Sequence, residues 1–411
     1  MTNAAPSVFS GLAAQAPDGL LALIGAYRSD PRPGKLDLGV GVYRDALGRT
    51  PVFAAVKTAE RLLVEGQDTK AYLGAEGDVG YLEALRPLVF GARAQADVFG
   101  VQTPGGTGAL RLAAELLAAG RPAARLFVGA PTWPNHEQIF EAAGVTLVTY
   151  DYFDAASQTV CFEAMMEALA TAAPGDAVLL QGACHNPTGA DLTKDQWRIV
   201  ADLVAERGLF PIIDLAYQGL GRGLEDDALG MRLILEAVPE ALVAYSCDKN
   251  FGLYRERTGA LFAVCDQPQR LSKAGSNILA LARANWSMPP DHGAAVVRII
   301  LSDSDLTTMW TTELETMRQR LVDVRAALAN HCPDLVALKD QNGLFACLAL
   351  TPHQVGRFRD DHAVYLASSG RINLAGLTVE TVPDFVRAYQ AIRRLGPESL
   401  AADVRPSPAT L

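Results

Sequence analysis

The sequence contains no run rich in lysine and arginine, no CxxC pair and no HExxH motif. It also lacks any stretch of about 20 apolar residues, the length that would carry a helix across a bilayer. Each absence excludes something. With 36 Lys and Arg against 46 Asp and Glu, a net charge of -10 and no basic patch, the chain does not read as a nucleic-acid binder. The missing apolar stretch speaks against a membrane-spanning protein. The six cysteines (Cys161, Cys184, Cys247, Cys265, Cys332 and Cys347) are scattered without disulfide-dense spacing, which suits free thiols in a reducing compartment. The six histidines offer no metal-ligand spacing, so no metal is expected. The opening MTNAAPSVFSGLAAQAPDG has no basic segment followed by an apolar run, so it is not expected to be a secretory signal. A cytoplasmic globular protein is the expectation.

What is present is a long, apolar-rich chain: 411 residues, 49% of them hydrophobic, enough for roughly two or three domain-sized units. The first residues are polar and rich in Ala and Pro, and are expected to form a loose arm before Asp18–Tyr27; Gly396–Leu411 is expected to be a loose tail. From about Gly100 to Cys265, helical patterns alternate with short apolar runs, which predicts a mostly parallel sheet covered by helices. Leu126–Val128, Ala177–Leu180, Pro211–Ile213 and Ala241–Ala244 are continuously apolar, as strands buried on both faces are. Each is followed by polar residues: Trp133 and His136, Asn186, Asp214 and Tyr217, Ser246 and Lys249. Ligands bind outside the carboxyl ends of such strands, so four runs delivering polar groups to one edge form a site pattern. Further on, Leu314, Met317, Leu321, Val324 and Leu328 alternate spacings of three and four, which predicts one apolar face of a long helix. This helix is expected to lead into a second unit with strands at Leu344–Leu350 and Arg371–Leu374 and a closing helix near Val382–Ile392.

Three segments carry chemistry. TPGGTGALRL (103–112) places glycines and a threonine directly before a strong helix former, where backbone N–H groups and the Thr107 hydroxyl can cradle a phosphate. Gly-rich turns before helices are common, so this segment alone is a weak signal, and it has neither P-loop nor GxGxxG spacing. YSCDKNFGLYRERTG (245–259) puts Lys249 in the wake of a buried strand, where lysine is rarely buried; the ordinary reading is a lysine that emerges into solvent. Ser246 and Arg257, a donor and a bidentate partner for phosphate, shift that reading. In PIIDLAYQG, Asp214 closes a buried strand and could serve as a helix cap or as the carboxylate that keeps a pyridine nitrogen protonated. A Schiff-base lysine, an acidic partner for the ring nitrogen and a phosphate site together are what a pyridoxal cofactor requires.

TPGGTGALR, PTWPNH, CHNPTG, DLAYQG, KNFGLYRERTG, RANWSMPP and SGRINLAG, in that order and spacing, closely resemble the class I aminotransferases of fold type I, in particular the bacterial aspartate and aromatic amino-acid enzymes. The resemblance runs from about Pro17 to Ile392. It implies an α/β fold: a large doubly wound domain on a mostly parallel, mixed sheet of the seven-stranded type, with a smaller α+β domain. The implied bounds are 1–48 for the arm and part of the small domain, 49–305 for the large cofactor-binding domain and 306–411 for the rest of the small one. It implies a homodimer with shared active sites and pyridoxal 5'-phosphate as cofactor.

Carried over by position, the resemblance makes Lys249 the residue that holds the cofactor and then shuttles the substrate proton. Asp214 pairs with the ring nitrogen, Asn186 and Tyr217 with the phenolic oxygen, and Trp133 stacks on the ring. Gly105, Gly106, Thr107, Ser246 and Arg257 hold the phosphate, with Tyr72 arriving from the other subunit. Arg371 grips the substrate α-carboxylate with Gly41 nearby, and Arg283 crosses the dimer interface to meet a side-chain carboxylate. Trp133 and Asn186 also border the substrate.

Two positions depart from the family pattern. Asp248 stands where relatives usually carry a small hydroxyl residue, and a carboxylate there repels the phosphate unless turned away or paired. Gln181 stands where many relatives have a histidine behind the ring-nitrogen aspartate. For the substrate, Arg283 implies that glutamate and 2-oxoglutarate, and aspartate, are accepted. Ala71, Trp286 and Met288 around it are smaller or more apolar than an aspartate-only site usually presents, which leans toward aspartate and aromatic amino acids (Phe, Tyr, Trp) over strict aspartate use. A lyase on the same cofactor and a non-catalytic phosphate-binding relative are the remaining alternatives.

Overall fold

The computed structural model describes residues 8–14, 19–91 and 97–394. The tail expected over Gly396–Leu411 lies outside them, as does much of the arm expected before Asp18. Seven strands form the central sheet, in the spatial order Val98–Pro104, Thr258–Cys265, Glu240–Ser246, Phe210–Leu215, Ala177–Gln181, Arg125–Ala130 and Thr146–Asp151. Thr258–Cys265 runs antiparallel to both neighbours, and the other strands share one direction. All four strands expected from the apolar runs are present.

Their continuous apolarity has a simple cause. Successive side chains point to opposite faces, and both faces are covered. Val178, Leu180, Ile213, Val243 and Phe262 pack into one core. Ala177, Leu179, Ile212, Leu242 and Leu261, one residue out of phase, pack into the other. Helices Lys194–Arg207 and Leu224–Ala237 cover the first face; Gly105–Gly120 and Pro268–Trp286 cover the second. The six cysteines form no disulfide, and five of them are buried.

The long helix spans Ser304–His331. The Asp303 side chain accepts from the N–H groups of Asp305 and Leu306, and so caps its first turn. Its buried stripe extends the expected one backward to Leu306 and Trp310. Arg325 lies on the same helix, buried and without a carboxylate partner among the described residues. Its guanidinium instead donates to the carbonyls of Leu338, Asn342, Gly343 and Phe345, at 2.7–3.1 Å. Burial lowers its pKa to about 10. These bonds fix the turn that leads into strand Phe345–Cys347, which pairs antiparallel with Arg371–Asn373. Only three residues on each side pair, fewer than the seven expected from Leu344–Leu350. We predict that Arg325→Met destabilises the protein by about 3–5 kcal/mol, because it strands several buried carbonyls. Urea unfolding checks this; a change within experimental error would show that the turn does not depend on the arginine.

Candidate active site

The carboxyl ends of the parallel strands open into a cavity of about 320 Å³. Val98–Pro104 delivers the first group of residues. Gly105 has φ +69°, and a Cβ there would lie 2.6 Å from an Arg257 nitrogen and 3.3 Å from an Asp248 oxygen. At Gly106 a Cβ would press on Ser246 at 3.2 Å. Any side chain at Gly105 or Gly106 would therefore fill the space it borders. Helix Gly105–Gly120 starts here without a side-chain cap, so its first N–H groups and Thr107 face a cavity suited to an anion.

Ser246 and Arg257 close that cradle. Ser246 ends its strand fully buried, and its Oγ accepts from the Asp248 N–H at 3.2 Å. Arg257 sits in the left-handed region at φ +54° and donates through one terminal nitrogen to Asp248 Oδ2 and, at 3.2 Å, to the Tyr254 carbonyl. Asp248 is thus paired, which is one of the two ways its charge could be accommodated.

Lys249 follows on the same turn, partly buried, with Nζ 5.1 Å from the centre of the Tyr217 ring. Burial pulls its pKa below the ordinary lysine value. The charges of Asp248 and Asp214 oppose that shift, and Arg257 adds to it. The result favours a neutral, nucleophilic amine more than an exposed lysine would.

Asp214, at the end of the neighbouring strand, is held from behind. His136 Nε2 donates to its Oδ2 at 3.0 Å, and His136 Nδ1 accepts from the Thr132 hydroxyl at 2.8 Å. Gln181 is the partner of Asp214 across the strand pair, but its side chain bonds elsewhere. Its amide donates to Thr132 Oγ1 at 3.3 Å and to the Asn186 carbonyl at 3.0 Å, while its oxygen accepts the Asn186 N–H at 2.8 Å. The residue that replaces the family histidine therefore acts through Thr132 and His136, and also orients Asn186. The Asn186 amide nitrogen lies 3.4 Å from the Tyr217 hydroxyl, while its Oδ1 is buried with no partner. Burial, reinforced by Asp214, raises the Tyr217 pKa, so the phenol stays protonated. Trp133 meets His136 edge to face at 5.3 Å.

From the far end of the chain, Arg371 enters the same cavity. One terminal nitrogen donates to the Gly39 carbonyl at 2.9 Å, the guanidinium lies 4.7 Å over the Phe345 ring, and Nε is buried without a partner. Gly41 allows this packing, since a Cβ there would lie 3.2 Å from Phe345.

Eleven of the fourteen expected residues line the cavity, and Gly105 adjoins it beside Arg257 and Asp248. Tyr72 and Arg283 lie elsewhere on the chain's surface, Tyr72 93% exposed and Arg283 donating to Ser287 Oγ at 2.7 Å. Leu20, Val40, Phe345 and Tyr254 line the cavity without having been anticipated. Of these only Tyr254, inside KNFGLYRERTG, had a signal to find it by.

Comparison with known proteins gives one consistent picture. The family described as "Aminotransferase class I and II" matches residues 33–388. The chain is 56% identical to a tyrosine aminotransferase of Rhizobium meliloti (strain 1021) over 94% of its own length and 100% of that protein. It is 42% identical to an aspartate aminotransferase of Escherichia coli (strain K12), over 94% and 100%. Among solved structures, an aromatic-amino-acid aminotransferase from Burkholderia pseudomallei covalently bound to pyridoxal phosphate superposes with a TM-score of 0.91 at 36% identity, covering 94% of this chain and 100% of that one.

Proposed function

The chain belongs to the class I and II aminotransferases, and from that premise we propose that it moves the amino group of aspartate and of aromatic amino acids to 2-oxoglutarate. The family's cofactor is pyridoxal phosphate, and the residues present fit it. The observation that carries the reading is the convergence in one cavity of an anion cradle floored by two glycines, a lysine with lowered pKa, a carboxylate anchored by histidine and a partly satisfied arginine.

When bound, the cofactor supplies an aldehyde for the amino group and a ring that accepts the electrons left when the α-proton departs. Everything else falls to this chain. The first N–H groups of helix Gly105–Gly120, with Thr107, Ser246 and Arg257, hold the phosphate. Asp214 keeps a proton on the pyridine nitrogen, and its charge is fixed in place by His136. Tyr217 and Asn186, whose amide lies beside the phenol, receive the phenolic oxygen. Trp133 covers the ring. Lys249 holds the cofactor and then, as a free amine, removes the α-proton and returns it. Arg371 takes the α-carboxylate through its unpartnered Nε and remaining N–H groups.

The same proposal includes a homodimer of a cytoplasmic protein, each subunit formed of a large unit (49–305) and a small one built from both chain ends. In it, Tyr72 of the partner subunit meets the phosphate and Arg283 of the partner subunit meets a side-chain carboxylate. Apolar Leu20, Val40 and Phe345 in the cavity and Trp286 and Met288 beside Arg283 favour dual use over aspartate alone. The relatives named for tyrosine and for aspartate support the same range.

Steady-state kinetics of Arg283→Ala separate the two substrate types. We expect kcat/KM for aspartate to fall roughly 100-fold or more, as when one partner of a buried charge pair is removed. For phenylalanine it should stay within about threefold, since an apolar pocket discriminates only modestly. Equal losses on both substrates would rule out this division.

A further inference from the structure

The phosphate cradle contains its own anion. Asp248 lines the cavity, is only 4% exposed, and occupies one terminal nitrogen of Arg257, the arginine assigned to the phosphate. Its other oxygen, Oδ1, is buried with no hydrogen-bond partner among the described residues. The groups around this carboxylate come from three elements. On its own turn are Lys249, Arg257, Tyr254 and Cys247; from helix Val79–Phe90 comes Tyr81, whose hydroxyl lies 3.3 Å from Cys247 Sγ; at the cradle floor is the start of helix Gly105–Gly120. Of these side chains only Arg257 and Lys249 can be cations, and burial pulls Lys249 toward neutrality. Arg257 and Asp248 cancel, so the cradle meets a phosphate with little beyond backbone N–H groups and the partial charge of the helix start.

We infer that Asp248 makes this cradle selective for the protonated, monoanionic form of the cofactor phosphate, so that cofactor is held less tightly as pH rises. This rests on the pyridoxal-phosphate reading. A phosphate dianion a few ångströms from a buried carboxylate is repelled, whereas a monoanion can donate its proton to a carboxylate oxygen. Binding from neutral solution then takes up one proton per cofactor. The second phosphate pKa of about 6 places the effect in the physiological range.

The test compares the dimer as isolated with Asp248→Asn, which keeps size and removes charge, and with Asp248→Ser. Each is stripped of cofactor and titrated with pyridoxal phosphate, and Kd is read by absorption from about pH 5.5 to about pH 8, either side of the phosphate pKa. Because the Asp248 charge also acts on Lys249, the titration of the phosphate is separated from that of the lysine by phosphorus NMR, which reports the phosphate alone. The inference predicts that both variants bind about 10- to 100-fold more tightly at the alkaline end, with the advantage shrinking toward the acid end. Phosphorus NMR of the bound cofactor should show a monoanion in the native chain and a dianion in the variants. Equal Kd at every pH overturns the inference, as does weaker binding by both variants, which would make Asp248 a positioning residue for Arg257. Either result leaves the cofactor reading intact. Failure of all three proteins to take up cofactor overturns both.

Discussion

Lys249→Ala is expected to lower the turnover of aspartate and phenylalanine by roughly ten-thousand-fold or more. A positioned general base contributes about 10²–10⁴-fold by itself, and the covalent hold on the cofactor is lost with it. The loss should appear in kcat, because Arg371 still binds the α-carboxylate. Lys249 is suited to both tasks: its amine lies beside Tyr217 and between two carboxylates, yet burial favours the neutral form over the charged one. The variant should still bind pyridoxal phosphate through Ser246, Arg257 and the start of helix Gly105–Gly120, without the spectrum of a lysine-bound cofactor. Single-turnover mixing with amino acid measures the step directly. A loss below about tenfold would mean that another base serves, and among the described residues no second amine lines the cavity.

Asp214→Asn carries the second large effect. The change is nearly isosteric, so packing is kept, but the charge that His136 holds in place disappears. An asparagine amide would also present a donor where the pyridine nitrogen must itself be one, so the nitrogen would lose its proton. We expect kcat to fall roughly 100- to 1000-fold, the usual cost of removing one preorganised electrostatic partner. Asp214→Glu, which keeps the charge but displaces it, should fall between. If Asp214→Asn retained kcat within about threefold of the parent, the carboxylate would be only a structural partner of His136.

Much of this site was legible before any coordinates, for a physical reason. A strand buried on both faces is continuously apolar, and the residue that ends it is polar only where something outside the sheet needs it. Asp214 and Ser246 lie at the ends of their strands and Asn186 and Lys249 in the turns just beyond, and the sheet order brings these strand ends side by side. The long helix was equally legible, since its stripe from Leu314 to Leu328 is a local periodicity. The remainder depends on contacts between distant segments. Phe345 reaches the cavity because Arg325 pins the turn before it, and no local pattern announces a buried arginine that serves carbonyls. Leu20 and Val40 come from the opposite end of the chain. Gln181 could be recognised as a departure, but its grip on Thr132 and Asn186 could not. The sequence left open how Asp248 is accommodated, and the geometry answers with Arg257.

The central claim is transamination with both aspartate and aromatic donors, and a single spectroscopic experiment addresses it. Purified protein loaded with pyridoxal phosphate is mixed with L-aspartate and, separately, with L-phenylalanine, and the cofactor's absorption is followed. The account predicts that both amino acids convert the aldehyde form to the amine form, and that 2-oxoglutarate restores it. A spectrum that shows bound cofactor but responds to only one of the two amino acids, or to neither, would contradict the account.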